Sequence, residues 1–400
     1  MAPHSSAVRK VVIAIIGALT LCLGTAHADR GSAKARVFAK VVPSHPEESK
    51  YQLRGNSNFQ FKSHEAPQWP AYVQTYVADQ FKVRPDRIKV QRFGSGKSGD
   101  LVFGVTLDGK NLGVLKVYRD PAGASGDARI LKVVNQARLS RYKPPREKGG
   151  IPNVSIDNNL ASALFTEQVP GRSIESLIQH TPKGSERESH MALLDETMRS
   201  SATMYWELHQ SMASGGKMDH QRKQNEVNMI LAKLDAVRAL NNEKRFMSPE
   251  QLSKIEAKLR NEIAPRFIAS NVPATAFHGD AHVGNVVVDD NLNARPIDVT
   301  AMKWSLDSNG KGTGAAAVDV GQFIARLYEK SEGALSMDEV RRLKSSFLSE
   351  YYKHSKTPQS MMEPAVLLYA VESQLARLQF GIGDSRGAVA TISDLLGLGT

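Results

Sequence analysis

Cysteine is almost absent from the sequence: Cys22 is the only one in 400 residues. A single thiol excludes an intramolecular disulfide framework and a cysteine-based zinc site. No motif recurs at a fixed period, which argues against a solenoid of stacked repeats. Dense runs of lysine and arginine and RNA-binding aromatic motifs are lacking as well, so no nucleic acid partner is expected. The formal net charge of +11 suits smaller anionic ligands instead.

The composition that remains is ordinary for a globular protein, with 41% hydrophobic and 23% charged residues. It argues against wholesale disorder. The length is enough for one large two-lobed domain or for two ordinary domains.

The first 28 residues have the three parts of a secretory signal peptide. Basic Arg9 and Lys10 precede an apolar run, Val11–Leu23, and Ala26–Ala28 is a small-x-small cleavage pattern. The run is too short to predict a membrane span, although an uncleaved N-terminal anchor is the alternative. We expect cleavage after Ala28, export to the periplasm or the medium, and no stable membrane span afterwards.

The order of the hydrophobic patterns predicts strands early and helices late. Residues 29–70 are polar and proline-containing, which indicates an extension or linker. The strand-like runs that follow are Arg87–Phe93, Asp100–Leu107 and Leu112–Tyr118. Beyond residue 164 a helical period dominates. We therefore predict an α+β fold of two lobes, with a small β-rich N-lobe over residues 71–166 and a larger helical C-lobe over residues 167–400.

Smaller features are predicted within both lobes. Trp69–Phe81 has the spacing of an amphipathic helix, and a second helix is expected at about residues 128–142. A connection rich in proline and glycine follows, at residues 144–152. In the helical part, Val286–Val288 and Pro296–Val299 flank a polar turn, which is typical of a hairpin.

The segment His278–Asn285 combines a carboxylate, two imidazoles and an amide within eight residues. Asp280, just before the hairpin, can face a cleft and accept a proton from a hydroxyl nucleophile. Asn285 can supply a neutral oxygen to a hard cation, and Asp298 on the return strand would come back beside it. Such a pair is suited to Mg²⁺ with phosphate oxygens completing its ligands.

Residues 94–99 form a second candidate, a G-x-G-x-x-G pattern. A P-loop is excluded because Gln91 replaces its first glycine. A dinucleotide-binding motif would connect a strand to a helix, whereas this segment lies between two predicted strands. A glycine-rich strand–turn–strand is the arrangement that covers ATP phosphates in kinases. Lys116, between apolar residues on the third strand, needs an anion, and phosphate would serve.

Together these segments resemble the aminoglycoside phosphotransferase and choline kinase families, which share the protein kinase-like fold. The likeness is carried by residues 278–285 with Asp298 and by the glycine-rich loop with Lys116. Residues 164–171 are similar to the inter-lobe hinge of these families. The resemblance extends in the same order over about residues 85–380.

The resemblance implies an ATP-dependent phosphotransferase that moves the γ-phosphate of Mg·ATP to a hydroxyl of a small molecule or protein. Asp280 would be the catalytic base or hydroxyl-orienting residue, and Asn285 and Asp298 would hold Mg²⁺. Adenine would bond to the hinge at Glu167 and Val169. The residues that would bind the triphosphate are Gly94, Ser95, Gly96, Lys97, Gly99 and Lys116.

Other positions support the family pattern or depart from it. His278 and His282 would support the catalytic loop rather than transfer protons, and Asp319 would be a structural aspartate. The glutamate that should pair with Lys116 is missing, and Asp127, one methylene shorter, is the best-placed acid. The acid that pairs with the lysine is therefore left open.

Two other functions also stay open. A kinase-like module could bind nucleotide without turnover, since the pairing glutamate is missing and free ATP is scarce outside the cytoplasm. Alternatively, the His278-x-Asp280-x-His282 pattern could bind a transition metal in a hydrolase. The hydrolase leaves the glycine-rich loop, Lys116 and Asn285 without roles. An exported kinase could act inside a host cell, where ATP is plentiful, as an effector.

Overall fold

The computed structural model describes residues 59–61, 67–95, 100–137, 139–156, 159–355 and 357–398. The predicted signal peptide, most of the predicted extension and Gly96, Lys97 and Gly99 of the glycine-rich loop lie outside these residues. The predicted boundaries at residues 28 and 70 therefore stay predictions.

The first part of the described chain builds a six-stranded sheet. Its strands are β1 (Phe59–Phe61), β2 (Ile88–Ser95), β3 (Leu101–Leu107), β4 (Lys110–Tyr118), β5 (Glu147–Ile156) and β6 (Asn159–Thr166). Their order is β1-β5-β6-β4-β3-β2, and every pairing except the parallel β1–β5 pair is antiparallel. The three predicted strands correspond to β2, β3 and β4, which confirms the β-rich character of this lobe.

Alternation of side chains explains how the sheet packs. On β3, Leu101, Phe103 and Val105 are buried with Val73 and Val77 of helix α1 (Trp69–Phe81). The residues between them on β3 face the opposite side of the sheet, because successive side chains on a strand alternate. The turn from β3 to β4 has positive φ at Asp108 and Gly109, 51° and 75°, as a two-residue type I′ hairpin requires.

Two predictions for this lobe were wrong. The second helix, α2, spans Gly123–Gln136 rather than residues 128–142, and residues 140–142 instead bond through their backbone to Glu207 of the helical lobe. The supposed connection at residues 144–152 contains the start of β5. Register shifts between Glu147 and Gly149 and between Ile151 and Val154 absorb the residues that would not fit a regular ladder, Pro152 among them.

The remainder of the chain is mainly helical. Its helices are α3 (Ile174–Gln179), α4 (Arg187–Ser211), α5 (His220–Lys244), α6 (Pro249–Lys258), α7 (Ala264–Ala269), α8 (Ala317–Ser331), α9 (Met337–His354), α10 (Gln359–Phe380) and α11 (Ser385–Leu396). Capping boxes at Ser248 and Ser336 begin α6 and α9. The most extensive helix packing is that of α8 against α10 and of α4 against α9. Across the described residues, we find no helix with the length and apolar character that crossing a bilayer would require.

Short strands interrupt the helices and carry the segments singled out by sequence. The predicted hairpin is formed by β9 (Val286–Val288) and β10 (Ala294–Pro296), with β7 (Arg172–Ser173) on its other edge. The return strand therefore ends at Pro296, before Asp298. A second pair joins β8 (Ala274–Thr275) to β11 (Gly314–Ala315).

Two helical glycines have opposite surroundings. A Cβ atom at Gly321 of α8 would lie 2.6 Å from the Val366 carbonyl oxygen and 2.8 Å from the Ala370 backbone nitrogen of α10. A Cβ atom at Gly126 of α2 would meet nothing within 4 Å. Glycine at residue 321 thus permits close approach of two backbones, whereas glycine at residue 126 only weakens its helix.

We predict that Gly321→Ala destabilises the protein by about 1–3 kcal/mol, because the helices must move apart. Gly126→Ala is the matched control and should stabilise it by about 0.5–1 kcal/mol, because alanine is the better helix former. Urea denaturation of the full chain measures both changes. A stabilising effect of Gly321→Ala would contradict the packing described here.

Candidate functional site

A cleft of about 670 Å³ lies between the sheet and the β9–β10 hairpin. Its apolar lining residues include Val102, Val114, Leu131, Leu164, Val169, Val287 and Ile297. The polar side chains at its edge include Lys116, Asp127, Asn285 and Asp298. The cleft thus combines an apolar slot with a charged end, a combination that suits a ligand with a flat apolar ring and an anionic tail.

Lys116 is the cation of the charged end. Its Nζ donates to Asp298 Oδ1 at 2.9 Å, lies 3.7 Å from Asp127 Oδ2, and stands 4.7 Å from the centroid of the Tyr118 ring. Burial alone would lower the pKa of Lys116, but the charges of Asp298 and Asp127 outweigh burial and raise this pKa. The lysine is therefore protonated at neutral pH.

Asp298 has a left-handed backbone, with φ of 56° and ψ of 59°, at the start of a 3₁₀ turn over Val299–Ser305. Aspartate tolerates this region better than most residues, and such conformations cluster at functional sites. Burial opposes ionisation of its carboxyl, yet the charge and hydrogen bond of Lys116 lower the pKa of Asp298. Asp298 is therefore a carboxylate at neutral pH.

Asp127 of α2 is buried beside this pair. Its Oδ2 accepts hydrogen bonds from the Tyr118 hydroxyl and, at 2.7 Å, from Thr300 Oγ1. Burial raises the pKa of Asp127 in spite of the nearby Lys116 charge. Thr300 Oγ1 also lies 3.0 Å from Asp298 Oδ1, and its single hydrogen can serve only one of the two carboxyls. Both acids thus contact the lysine, and Asp298 is the closer one.

The sequence predicts that the Asp280 carboxylate can face a cleft; in the structure Asn285 lines the cleft, and Asp280 is hydrogen-bonded to Asn285 beside it. Asn285 Nδ2 donates to the Asp280 carbonyl oxygen at 3.0 Å and to Asp280 Oδ2 at 3.1 Å. The backbone N–H of Ile297 donates to the Asn285 carbonyl at 2.9 Å, which places Asp298 beside Asn285. The Asp280 side chain is 51% exposed, so that a molecule from solvent can reach its carboxylate.

A fully buried carboxylate, Asp319 of α8, holds this loop in place. It accepts hydrogen bonds from the backbone N–H groups of His278, at 2.7 Å, and Gly279, at 2.9 Å. The same carboxylate lies 2.9 Å from His209 Nε2, and His209 Nδ1 lies 2.7 Å from the Tyr351 hydroxyl. Gly279 has a φ of +83°, which favours glycine. The structural role proposed for Asp319 agrees with this geometry.

The two histidines of the loop are both engaged. His278 Nε2 lies 2.9 Å from the Ile297 carbonyl, and its Nδ1 accepts from the Asp280 N–H at 3.3 Å. His282 Nδ1 accepts from the Gly284 N–H at 3.0 Å, and burial lowers the pKa of His282. Because three of the four ring nitrogens are used, the two rings do not form an open metal site with Asp280.

The proposed hinge residues Glu167 and Val169 both line the cleft. The N–H of Glu167 donates to the Arg146 carbonyl at 2.7 Å, and its carboxylate pairs with Arg146 and Arg295. Of the proposed triphosphate loop, Gly94 and Ser95 are the last residues of β2.

Asn285 and Asp298 each have one side-chain oxygen that could contact a magnesium ion. Oδ2 of Asp298 and Oδ1 of Asn285 accept no hydrogen bond from a described residue, so two hard oxygen donors remain on the cleft. In the part of the chain that the structure describes, no group of three or more His, Cys, Asp or Glu could hold a metal. A bound Mg²⁺ would therefore depend on water and phosphate for its other ligands.

One cleft residue escaped the sequence analysis. Phe93 is the extra residue of a bulge where the pairing of β2 with β3 shifts between Arg92 and Gly94. Its ring is half exposed, lines the cleft and lies over Gly104, where a Cβ atom would be 2.3 Å from the ring. An aromatic residue just before the glycine-rich loop, with a glycine in the facing strand, was the available signal.

No family model matches the chain, and no curated protein matches it. Among solved structures, glucosamine kinase in complex with glucosamine, ADP and inorganic phosphate is similar, with a TM-score of 0.50 and 14% identity over 82% of this chain and 85% of the kinase. The ADP-bound aminoglycoside phosphotransferase APH(2'')-Ib gives a TM-score of 0.46 and 15% identity over 82% of this chain and 97% of its own. The chain has the protein kinase-like α+β fold that the sequence predicted.

Proposed function

We propose that this chain is a phosphotransferase that moves the γ-phosphate of ATP to a hydroxyl group, with Mg²⁺ as cofactor. The observation that carries the proposal is the meeting of Lys116, Asn285 and Asp298 at one end of an apolar cleft, with Asp280 beside it, hydrogen-bonded to Asn285. These residues come from a strand, a loop and a hairpin, and each has the chemistry that phosphoryl transfer needs at that place.

The two ends of the cleft would bind different parts of the nucleotide. The base would lie in the apolar slot, bonded to the hinge backbone near Glu167 and Val169. Lys116 would bind the phosphates, with Gly94 and the rest of the loop covering them. Bound at Asn285 and Asp298, Mg²⁺ would neutralise phosphate charge. Most of the catalysis would then come from positioning and charge neutralisation.

Asp280 would act on the acceptor. The acceptor oxygen forms a bond to the γ-phosphorus, the bond from that phosphorus to the bridging oxygen breaks, and ADP leaves. The hydroxyl proton passes to the Asp280 carboxylate, which Asn285 Nδ2 orients. His282 Nε2 lies 3.7 Å from the same carboxylate oxygen, Asp280 Oδ2.

The acceptor class is a hydroxyl on a small molecule or a protein. The similar glucosamine kinase is in complex with glucosamine, which supports a small polar acceptor here. The formal net charge of +11 argues against a polycationic acceptor. The predicted export signal would place the reaction outside the cytoplasm, or inside a host cell as an effector. Finding the protein only in the cytoplasm of the producing cell would contradict export.

A nucleotide-binding module without turnover is the second candidate. The observation in its favour is the arrangement around Lys116, which lies nearer to Asp298 than to Asp127. In this arrangement the lysine occupies one oxygen of a proposed magnesium ligand. Nucleotide binding without transfer to any acceptor tested would favour this candidate.

We predict that Asp280→Asn lowers transfer by about 10²–10⁴-fold, because the amide cannot take up the hydroxyl proton. Binding of Mg·ATP, measured as a rise in the melting temperature, should be retained. In Asp298→Ala the magnesium-dependent part of that rise should disappear. Asp307→Asn, in a loop outside the cleft, is the matched control and should behave as the parent. Full transfer by Asp280→Asn would exclude the assigned role, and no shift with any nucleoside triphosphate would exclude the function.

We also predict that Phe93→Ala weakens ADP binding by about five- to tenfold, because the base loses an aromatic surface worth about 1 kcal/mol. Gly104→Ala should weaken it too, although residue 104 would not touch the nucleotide, because its Cβ would displace the Phe93 ring. Leu160→Ala, an exposed apolar residue of β6, is the control. Calorimetry with ADP and with inorganic tripolyphosphate, which has no base, distinguishes binding of the base from binding of the phosphates. An equal loss of affinity for both ligands would contradict stacking of the base on Phe93.

A further inference from the structure

A second cavity, of about 800 Å³, lies outside the cleft, between the connection from α2 to β5 and the β9–β10 hairpin. The charged residues that line it are Arg141, Lys143, Arg146, Glu167, Asp289 and Arg295. Four are cations and two are carboxylates. Polar residues, among them Asn135, Ser140 and Asn293, complete much of the wall. The proposed phosphotransfer uses none of these residues except the backbone of Glu167.

The carboxylates in and beside this cavity are already occupied by hydrogen bonds. Glu167 pairs with Arg146 at 3.0 Å and with Arg295 at 3.1 Å. Asp289 accepts from the N–H groups of Asn291 and Asn293, each at 2.9 Å. Burial would raise the pKa of both carboxyls, but these hydrogen bonds and the arginine charges lower it instead. Both acids are ionised and turned to their own neighbours.

Glu207, just behind the wall, is satisfied in the same way. It accepts from the N–H groups of Ser140, Arg141 and Tyr142 at 2.6–2.8 Å. Arg295 Nε donates to the Lys143 carbonyl at 3.0 Å. Residues 140–143 are thus tied to both α4 and the hairpin, and the wall that carries the cations is built by tertiary contacts rather than by a free loop.

Arg141 and Lys143 differ from the other charged residues that line the cavity. Both side chains are exposed, and no carboxylate of a described residue pairs with either one. Two uncompensated cations in a concave polar wall create a positive local potential, which attracts anions. Arginine in particular matches the geometry of phosphate and carboxylate oxygens.

We propose that this cavity is a second binding site, for a small molecule with at least two anionic phosphate or carboxylate groups, held by Arg141 and Lys143. The site is distinct from the cleft and does not depend on the proposed function. Its volume is large enough for a ligand of mononucleotide size.

The test is calorimetric titration of inorganic pyrophosphate into the full chain. Arg141→Ala combined with Lys143→Ala should weaken binding at least tenfold. The matched control is Lys183→Ala combined with Arg266→Ala, which removes the same charges from exposed positions that line neither cavity, and it should bind as the parent does. Lys116→Ala removes the cation of the cleft, so a loss of pyrophosphate affinity in this variant would indicate binding in the cleft. Citrate in a parallel titration distinguishes a polycarboxylate ligand from a phosphorylated one.

Loss of pyrophosphate or citrate binding in the Arg141/Lys143 variant alone would support the second site. Equal affinity in that variant and its control would overturn the proposal, as would loss in Lys116→Ala alone. Absence of binding of either anion at millimolar concentration would overturn it as well. Melting temperatures of the variants verify that each is folded.

Discussion

Lys116 and Asp298 are 182 positions apart in the chain, yet their contact of 2.9 Å fixes the charged end of the cleft. The Lys116 side chain is 20% exposed, and the neighbouring carboxylates compensate part of the solvation that its ammonium group loses. The ion pair therefore joins a strand of the sheet to the end of the hairpin. Thr300 and Asp127 extend it, since the Thr300 hydroxyl lies within hydrogen-bond distance of both carboxyls. In the proposed reaction, phosphate and Mg²⁺ would each take over one member of this pair.

A second carboxylate has the complementary role in the interior. Asp319 accepts hydrogen bonds from the backbone N–H groups of His278 and Gly279 and contacts His209. One buried carboxyl group therefore connects α8, α4 and the loop with Asp280. A buried carboxyl group is tolerated only when hydrogen bonds satisfy it; here two backbone N–H groups donate to it, and His209 Nε2 lies 2.9 Å away. The two aspartates thus have different roles. Asp280 is exposed to solvent, and the buried Asp319 holds the loop that carries Asp280.

Glu167 connects the cleft with the basic cavity described above. It lines the cleft and also the basic cavity, where Arg146 and Arg295 hold its carboxylate. The same residue was singled out in the sequence for its backbone alone, by resemblance to a kinase hinge. Its side chain belongs to a different set of interactions, which are formed by the connection before β5 and by β10.

The sequence by itself determined the features that depend on neighbouring residues. These are the three early strands, the two-lobed α+β plan, and the hairpin that returns Asp298 to Asn285, because alternation, helical period and turn residues act over a few positions. Tertiary structure alone decided the rest: that β5 forms across a proline and glycine segment, that α2 ends before residue 140, that Phe93 lies over Gly104, and that Asp298 is closer than Asp127 to Lys116. Each of these depends on a partner distant in the chain, Glu207 for residues 140–142 and the edge of β6 for β5. Local propensity carries no information about such partners, because long-range packing chooses them.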